Sequence, residues 1–190
     1  MSTPPLRLFF AIPCCPQLAR DIVDWRARNP VEGKPVAPEN LHLTLAFLGS
    51  QPRGQVEALA ALAASLTPTT FTLRLDRLAR WKNGLLHLAP SKVPPALTDL
   101  ERSLREQLLI SGFTLETRHF KPHLTLARHC PRLPSTPPQP LIGQRPNLPS
   151  SPRKTPPKAR ATTPSDTGHC GLRPQPDVSP SNKKMADIYR

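Results

Sequence analysis

The chain has 190 residues, room for one domain or two small lobes. Its 26 Lys and Arg against 13 Asp and Glu give a net charge of +13, and its 27 prolines far exceed the ordinary usage of about 5%. No apolar run approaches the ~18 residues of a membrane-spanning helix. The four cysteines, Cys14, Cys15, Cys130 and Cys170, make neither a C-x-x-C pair nor a disulfide framework. Reduced thiols in a cytoplasmic setting are the simplest expectation, with no membrane partner.

Composition divides the chain. Residues 1–130 hold all six Phe and both Trp, whereas residues 131–190 hold 14 prolines, no Phe or Trp, and a net charge of +7. A segment so poor in apolar side chains cannot offset the chain entropy lost on folding, roughly 1–2 kcal/mol per residue for the backbone alone. The expected organisation is a folded domain over 1–134 and a Pro-rich basic tail over 135–190 without fixed structure.

In chain order, Arg7 to Ile12 is a short apolar run closed by Pro13, which predicts a buried strand. Pro16 suits the first turn of a helix, and Leu18, Ile22 and Trp25 fall on one helical face before Asn29-Pro30 stops it. Leu41 to Leu48 reads as a strand ended by Gly49. Ser50 and Pro52 read as the cap and first turn of a second helix, with Val56, Leu59, Ala60, Ala63 and Leu66 on one face. Phe71, Leu73 and Leu75 alternate with polar residues, a half-exposed strand continuing through Trp81. Asn83-Gly84 is a hairpin signal, since both residues tolerate positive φ, and it leads into Leu85–Ala89. Pro94-Pro95 opens a third helix with Leu97, Leu100, Leu104 and Leu108 inward and Gly112 as its C-terminal cap. His123 to Arg128 is the last strand. Strands, hairpins and helices in this order favour an α+β fold with antiparallel or mixed sheets over a doubly wound parallel sheet.

One internal repeat stands out. His-Leu-Thr-Leu-Ala occurs at 42–46 and again at 123–127, 81 positions apart. Strand side chains alternate, so His42 and Thr44 share one face while Leu43 and Leu45 anchor the other, and His123 and Thr125 do the same. A single His-x-Thr on a strand is usually just a solvent-facing pair. Two copies in the same phase predict two pseudo-equivalent strands whose polar faces converge on one cleft.

Two imidazoles facing one site suit phosphodiester chemistry. With an ordinary pKa of about 6.5, one ring can start neutral and take a proton from an attacking water, while its protonated partner gives one to the departing ribose oxygen. The threonine hydroxyls can donate to the non-bridging oxygens. This scheme needs no metal and no cofactor.

These motifs resemble the two-histidine phosphoesterase superfamily, whose signature is a pair of His-x-Thr-x motifs. Leu6–Ile12, Leu41–Gly49 and Phe120–Arg128 are similar to the bacterial RNA 2',3'-cyclic phosphodiesterases, also called 2'-5' RNA ligases, and the likeness runs from residue 6 to about 134. The resemblance implies a bilobal fold with a central cleft, one motif from each lobe. It implies opening of an RNA 2',3'-cyclic phosphate to a 2'-phosphomonoester, with joining of 2'-5' ends as a related activity. His42 then maps onto the proton donor, His123 onto the proton acceptor, and Thr44 and Thr125 onto the phosphate-binding threonines. Arg128, five residues after the second histidine, maps onto an arginine that touches the substrate. By strict alternation Arg128 lies on the opposite face from His123, so the strand must bend or end before it. After about Leu133 the chain departs from the family pattern, so the sheets are expected to lack their C-terminal strands. The implied partner is RNA ending in a cyclic phosphate, tRNA fragments included, met by a monomer.

Two other readings compete: an RNA-end-binding module without activity, and a basic tail that binds nucleic acid through charge alone. The repeat disfavours the second, because charge needs no His and Thr in phase. His87, Trp25 and Trp81 read as ordinary strand or packing residues, and Phe9 and Phe10 as core, one of them able to stack on a base. His119, His129 and Cys130 lack metal-site spacing.

Overall fold

A computed structural model describes residues 4–136 and 138, together with two short strands at 141–144 and 173–176. The chain runs β1 (Leu6–Pro13), α1 (Pro16–Arg28), β2 (Lys34–Pro35), a 3-10 turn (Pro38–Asn40), β3 (His42–Gln51), α2 (Gln55–Ser65), β4 (Thr72–Leu75), β5 (Arg77–Arg80), β6 (Leu86–Ala89), α3 (Pro95–Ile110), β7 (Leu124–Arg128), β8 (Leu141–Gln144) and β9 (Arg173–Pro176). Every described strand pairing is antiparallel. The fold is α+β.

One sheet runs β5-β6-β7-β3-β1-β9 with β2 also on β7, and β4 pairs with β8 in a second, two-stranded sheet. The larger sheet has a seam. β1 and β3 pair along their length, and β6 pairs with β7 over several positions, but β3 and β7 share the single register position Leu43↔Leu124. The sheet therefore parts into two halves at that point, and each half carries one His-x-Thr copy beside the seam. This is the bilobal arrangement expected.

The helices form where their apolar spacing demands. α1 buries Leu18, Ala19, Ile22 and Trp25, and α3 buries Leu97, Leu100, Leu104 and Leu108. Gly112 ends α3 at φ +83°, a conformation costly for a residue with a Cβ, and Phe113 N–H closes back on the Leu108 carbonyl at 3.0 Å. The core is continuous, joining these faces to Leu8 and Phe10 of β1, Leu43 and Leu45 of β3, and Leu124 and Leu126 of β7.

Three expectations need correction. Gly49 does not end its strand; β3 runs on to Gln51, and Gly49, at φ +67°, sits beside a bulge where Leu8 pairs Gly49 but Phe9 pairs Phe47. Ser50 and Pro52 do not start α2. The helix begins at Gln55 with no side-chain cap, and Ala60 faces solvent. The half-exposed strand after Phe71 is not continuous: Asp76 separates β4 from β5, and its carboxylate accepts from Ser91 N–H at 2.7 Å and Ser91 Oγ at 2.6 Å. The expected tail over 135–190 mostly lies outside the described residues. Within it, β8 and β9 add short strands to β4 and to the outer side of β1, places where a strand can carry proline because one edge needs no ladder donor.

Candidate active site

The register at the seam decides the site. Leu43 faces Leu124 across the β3–β7 pairing. Continuing the antiparallel ladder sets His42 against Thr125 and Thr44 against His123, and directly opposed residues share a face. All four polar residues of the repeat thus stand on one face of the sheet, with Leu43 and Leu124 between them buried on the other at 4% and 3% exposure.

Each imidazole is oriented by its own strand. His42 Nδ1 lies 2.7 Å from the Asn40 carbonyl oxygen, and His123 Nδ1 lies 2.8 Å from the Lys121 carbonyl oxygen. A carbonyl only accepts, so both Nδ1 atoms carry hydrogen and both Nε2 atoms are left to exchange protons. The two motif copies use the same local device, the carbonyl two residues upstream.

Aromatic rings flank both histidines. Phe9 stacks on His42 with centroids 4.9 Å apart and on Phe47 at 5.7 Å. Trp81 meets His123 at 4.6 Å and His87 at 4.5 Å, and His87 presents its edge to His123 at 5.6 Å. Burial pushes the His123 pKa down, only partly opposed by its bond to the Lys121 carbonyl. His87, 4% exposed, is pushed down first by burial, an effect opposed by its bond to the Leu85 carbonyl and reinforced weakly by the neighbouring His123. The ring that the resemblance makes a proton acceptor is therefore held toward its neutral form.

Two bulges complete the face. On β7, Thr125 pairs His87 but Ala127 pairs Leu86, so Leu126 is an extra residue. On β3, Thr44 pairs Ala11 but Ala46 pairs Phe10, so Leu45 is an extra residue at the same place in its motif. A bulge shifts the phase of alternation by one. Beyond each bulge, the residue five after the histidine returns to the histidine face: Phe47 in the first copy and Arg128 in the second. Strict alternation had put Arg128 on the wrong face, and the bend it required is this bulge. Arg128 pairs Lys34 of β2, near the end of β7 where His129 takes φ +57°.

The structure thus sets His42, Thr44, His123 and Thr125 on one face of the sheet, and the bulge returns Arg128 to that face. It adds His87, Trp81 and Phe47. The Asn83-Gly84 hairpin gave a signal for Trp81 and His87, because it brings them close in space. Their place against His123 depends on β6 pairing β7, a contact between segments far apart in sequence. Among the described residues, no group of three or more His, Cys, Asp or Glu side chains is arranged to hold a metal ion. No helix among them is long and apolar enough to cross a membrane.

Paired His-x-Thr strands facing each other across a split antiparallel sheet are the layout of a phosphoesterase, and solved structures of that kind share the fold. The crystal structure of Escherichia coli LigT complexed with 3'-AMP matches with a TM-score of 0.66 at 37% identity, covering 74% of this chain and 83% of that one. The crystal structure of TT0787 of Thermus thermophilus matches with a TM-score of 0.59 at 27% identity, covering 73% and 83%. In sequence, the chain is 39% identical over 137 residues to the RNA 2',3'-cyclic phosphodiesterase of E. coli strain K12, covering 70% of this chain and 78% of that protein. It is 31% identical over 130 residues to the protein of the same name from Bacillus subtilis strain 168, covering 63% and 69%. The model of the 2'-5' RNA ligase superfamily matches residues 15–150. The chain belongs to that superfamily.

Proposed function

We infer that the protein hydrolyses RNA 2',3'-cyclic phosphodiester ends to 2'-phosphomonoesters. The observation that carries the reading is the seam: two carbonyl-oriented imidazoles and two threonines stand on one face, in a chain 39% identical to an RNA 2',3'-cyclic phosphodiesterase. His123 Nε2, kept toward its neutral form by burial, takes the proton of the attacking water. Protonated His42 gives its Nε2 proton to the departing O3', and the phosphate stays on O2'. Thr44, Thr125 and Arg128 donate to the non-bridging oxygens, where charge grows in the transition state. Phe9 and Phe47 form an aromatic wall beside His42 on which a base can stack.

The test is turnover of a cyclic-ended oligoribonucleotide followed by product analysis. His42→Ala and His123→Ala should each lower kcat by about 10²–10⁴-fold. Thr44→Ala or Thr125→Ala should leave a larger residual activity, because each removes one donor among several. Normal hydrolysis by the His123 variant, or a 3'-phosphate product, would contradict the assigned roles. The inactive end-binding alternative predicts binding without turnover in the unsubstituted protein.

A further inference from the structure

Beside the second histidine lies a cavity of about 630 Å³, between β3, α3 and the segment that leads into β7. His123 and Thr44 line it, so it adjoins the place of the reacting phosphate in the reading above. Phe47, Trp81 and Phe120 give it aromatic walls. Water occupies about 30 Å³, so the space is that of a far larger group. Aromatic faces next to a phosphate position suit a nucleobase.

Stacking alone would take any base. Glu101 of α3 also lines the cavity, and it is the odd member. The cations Lys82, Arg105, Arg118 and Lys121 suit an RNA phosphate, whereas a carboxylate repels one. None of these cations pairs with Glu101. Arg105 stands one helical turn on, but its guanidinium donates to the Glu116 carbonyl at 2.7 Å. Among the described residues, the Glu101 carboxylate has no hydrogen bond and no salt bridge. The side chain is half-buried, and burial pushes its pKa up against the opposing charge of Arg105. A carboxylate so placed has an unmet need for donors. Glu116 lines the cavity too, but it is exposed, and water meets the same need there.

A carboxylate only accepts hydrogen bonds, through two oxygens side by side. Of the four RNA bases, guanine alone offers two donors side by side on its Watson–Crick edge, N1–H and the 2-amino group. Adenine and cytosine put a bare ring nitrogen next to their amino group, and uracil flanks its N–H with two carbonyl oxygens. Each of these sets an acceptor against the carboxylate. We propose that Glu101 makes this cavity selective for guanine as the base of the nucleotide that carries the 2',3'-cyclic phosphate. The terminal nucleotide is the one concerned because its own ribose holds the phosphate beside His123 and Thr44. The proposal rests on the cyclic-phosphodiester reading above and adds to it the identity of the preferred end.

The experiment compares kcat/KM for short oligoribonucleotides that differ only in the base at the cyclic end: guanine, hypoxanthine, adenine, cytosine or uracil. Guanine should exceed adenine, cytosine and uracil by about tenfold, the order of one hydrogen bond to a charged acceptor. Hypoxanthine, which keeps N1–H and lacks the 2-amino group, should fall between. In Glu101→Gln, whose amide both donates and accepts, adenine should overtake guanine. Glu101→Ala should bring the bases together. A merely structural role would change kcat/KM for every base alike. Equal turnover of all ends by the unsubstituted protein, or preference for another base, would overturn the proposal and leave the parent reading standing. A guanine preference that survives both substitutions would do the same. Absence of turnover with every cyclic end would overturn the parent reading and the guanine pocket with it.

Discussion

At the scale of single residues, the two motif histidines are chemically identical side chains in different surroundings. His123, half-buried, packs against Trp81 and His87, and burial lowers its pKa. A base with a lowered pKa stays neutral further into acid, so the acid limb of kcat/KM should have its midpoint below the ~6.5 of free imidazole. Replacing Trp81 with Ala opens that surface to water and should move the limb back up. A limb at or above 6.5 in the unsubstituted protein would show that burial does not govern the acceptor. The four repeat residues were legible in the sequence because periodicity of two needs only local spacing. The contact of His87 with His123 was not, because it depends on a neighbour across the sheet rather than on anything in its own strand.

At the scale of elements, strand irregularities place the side chains that regular strands would misplace. The extra residue after each Thr is a leucine, which fits an alternating apolar pattern and so leaves no trace in the sequence. Elements with strong local signals were foreseen closely: α1 between Pro16 and Asn29, the Asn83-Gly84 turn, and Gly112 after α3. The start of α2 was misplaced because a serine and a proline resemble a cap wherever they occur, and here β3 continues through Ser50 to pair with Arg7. The two-residue strand β2 is held against β7 by a close approach at Gly33. That residue has φ +103°, and a Cβ on it would lie 2.5 Å from the Arg128 carbonyl oxygen. Gly33→Ala should therefore cost about 1–3 kcal/mol, read as a lower melting temperature, and should weaken substrate binding by displacing Arg128. A variant with unchanged melting and KM would mean that β2 does not fix the end of β7.

At the scale of the whole molecule, charge and buried imidazoles set the response to solution conditions. His87 has a folded pKa below its unfolded value, so the unfolded chain binds the proton more readily. Stability tied to this group is present above about pH 6.5 and is lost as pH falls toward the folded pKa. Melting temperature should drop between pH 7 and 5, and His87→Phe should flatten that slope even if it lowers stability throughout. The net charge of +13 makes the second prediction. Binding of a polyanion releases counterions, so KM for a cyclic-ended oligoribonucleotide should rise with salt more steeply than KM for a cyclic mononucleotide. Equal slopes would show that the basic residues do not meet the RNA backbone.

The seam between the two sheet halves has a consequence for the imidazoles. One paired position, Leu43↔Leu124, joins the strands that carry the histidines, and each imidazole is tied to a carbonyl of its own lobe. Each ring therefore keeps the hydrogen bond that fixes its tautomer within its own half of the sheet, independent of the contact between the halves. The orientation of the two imidazoles is built separately on each side of the seam.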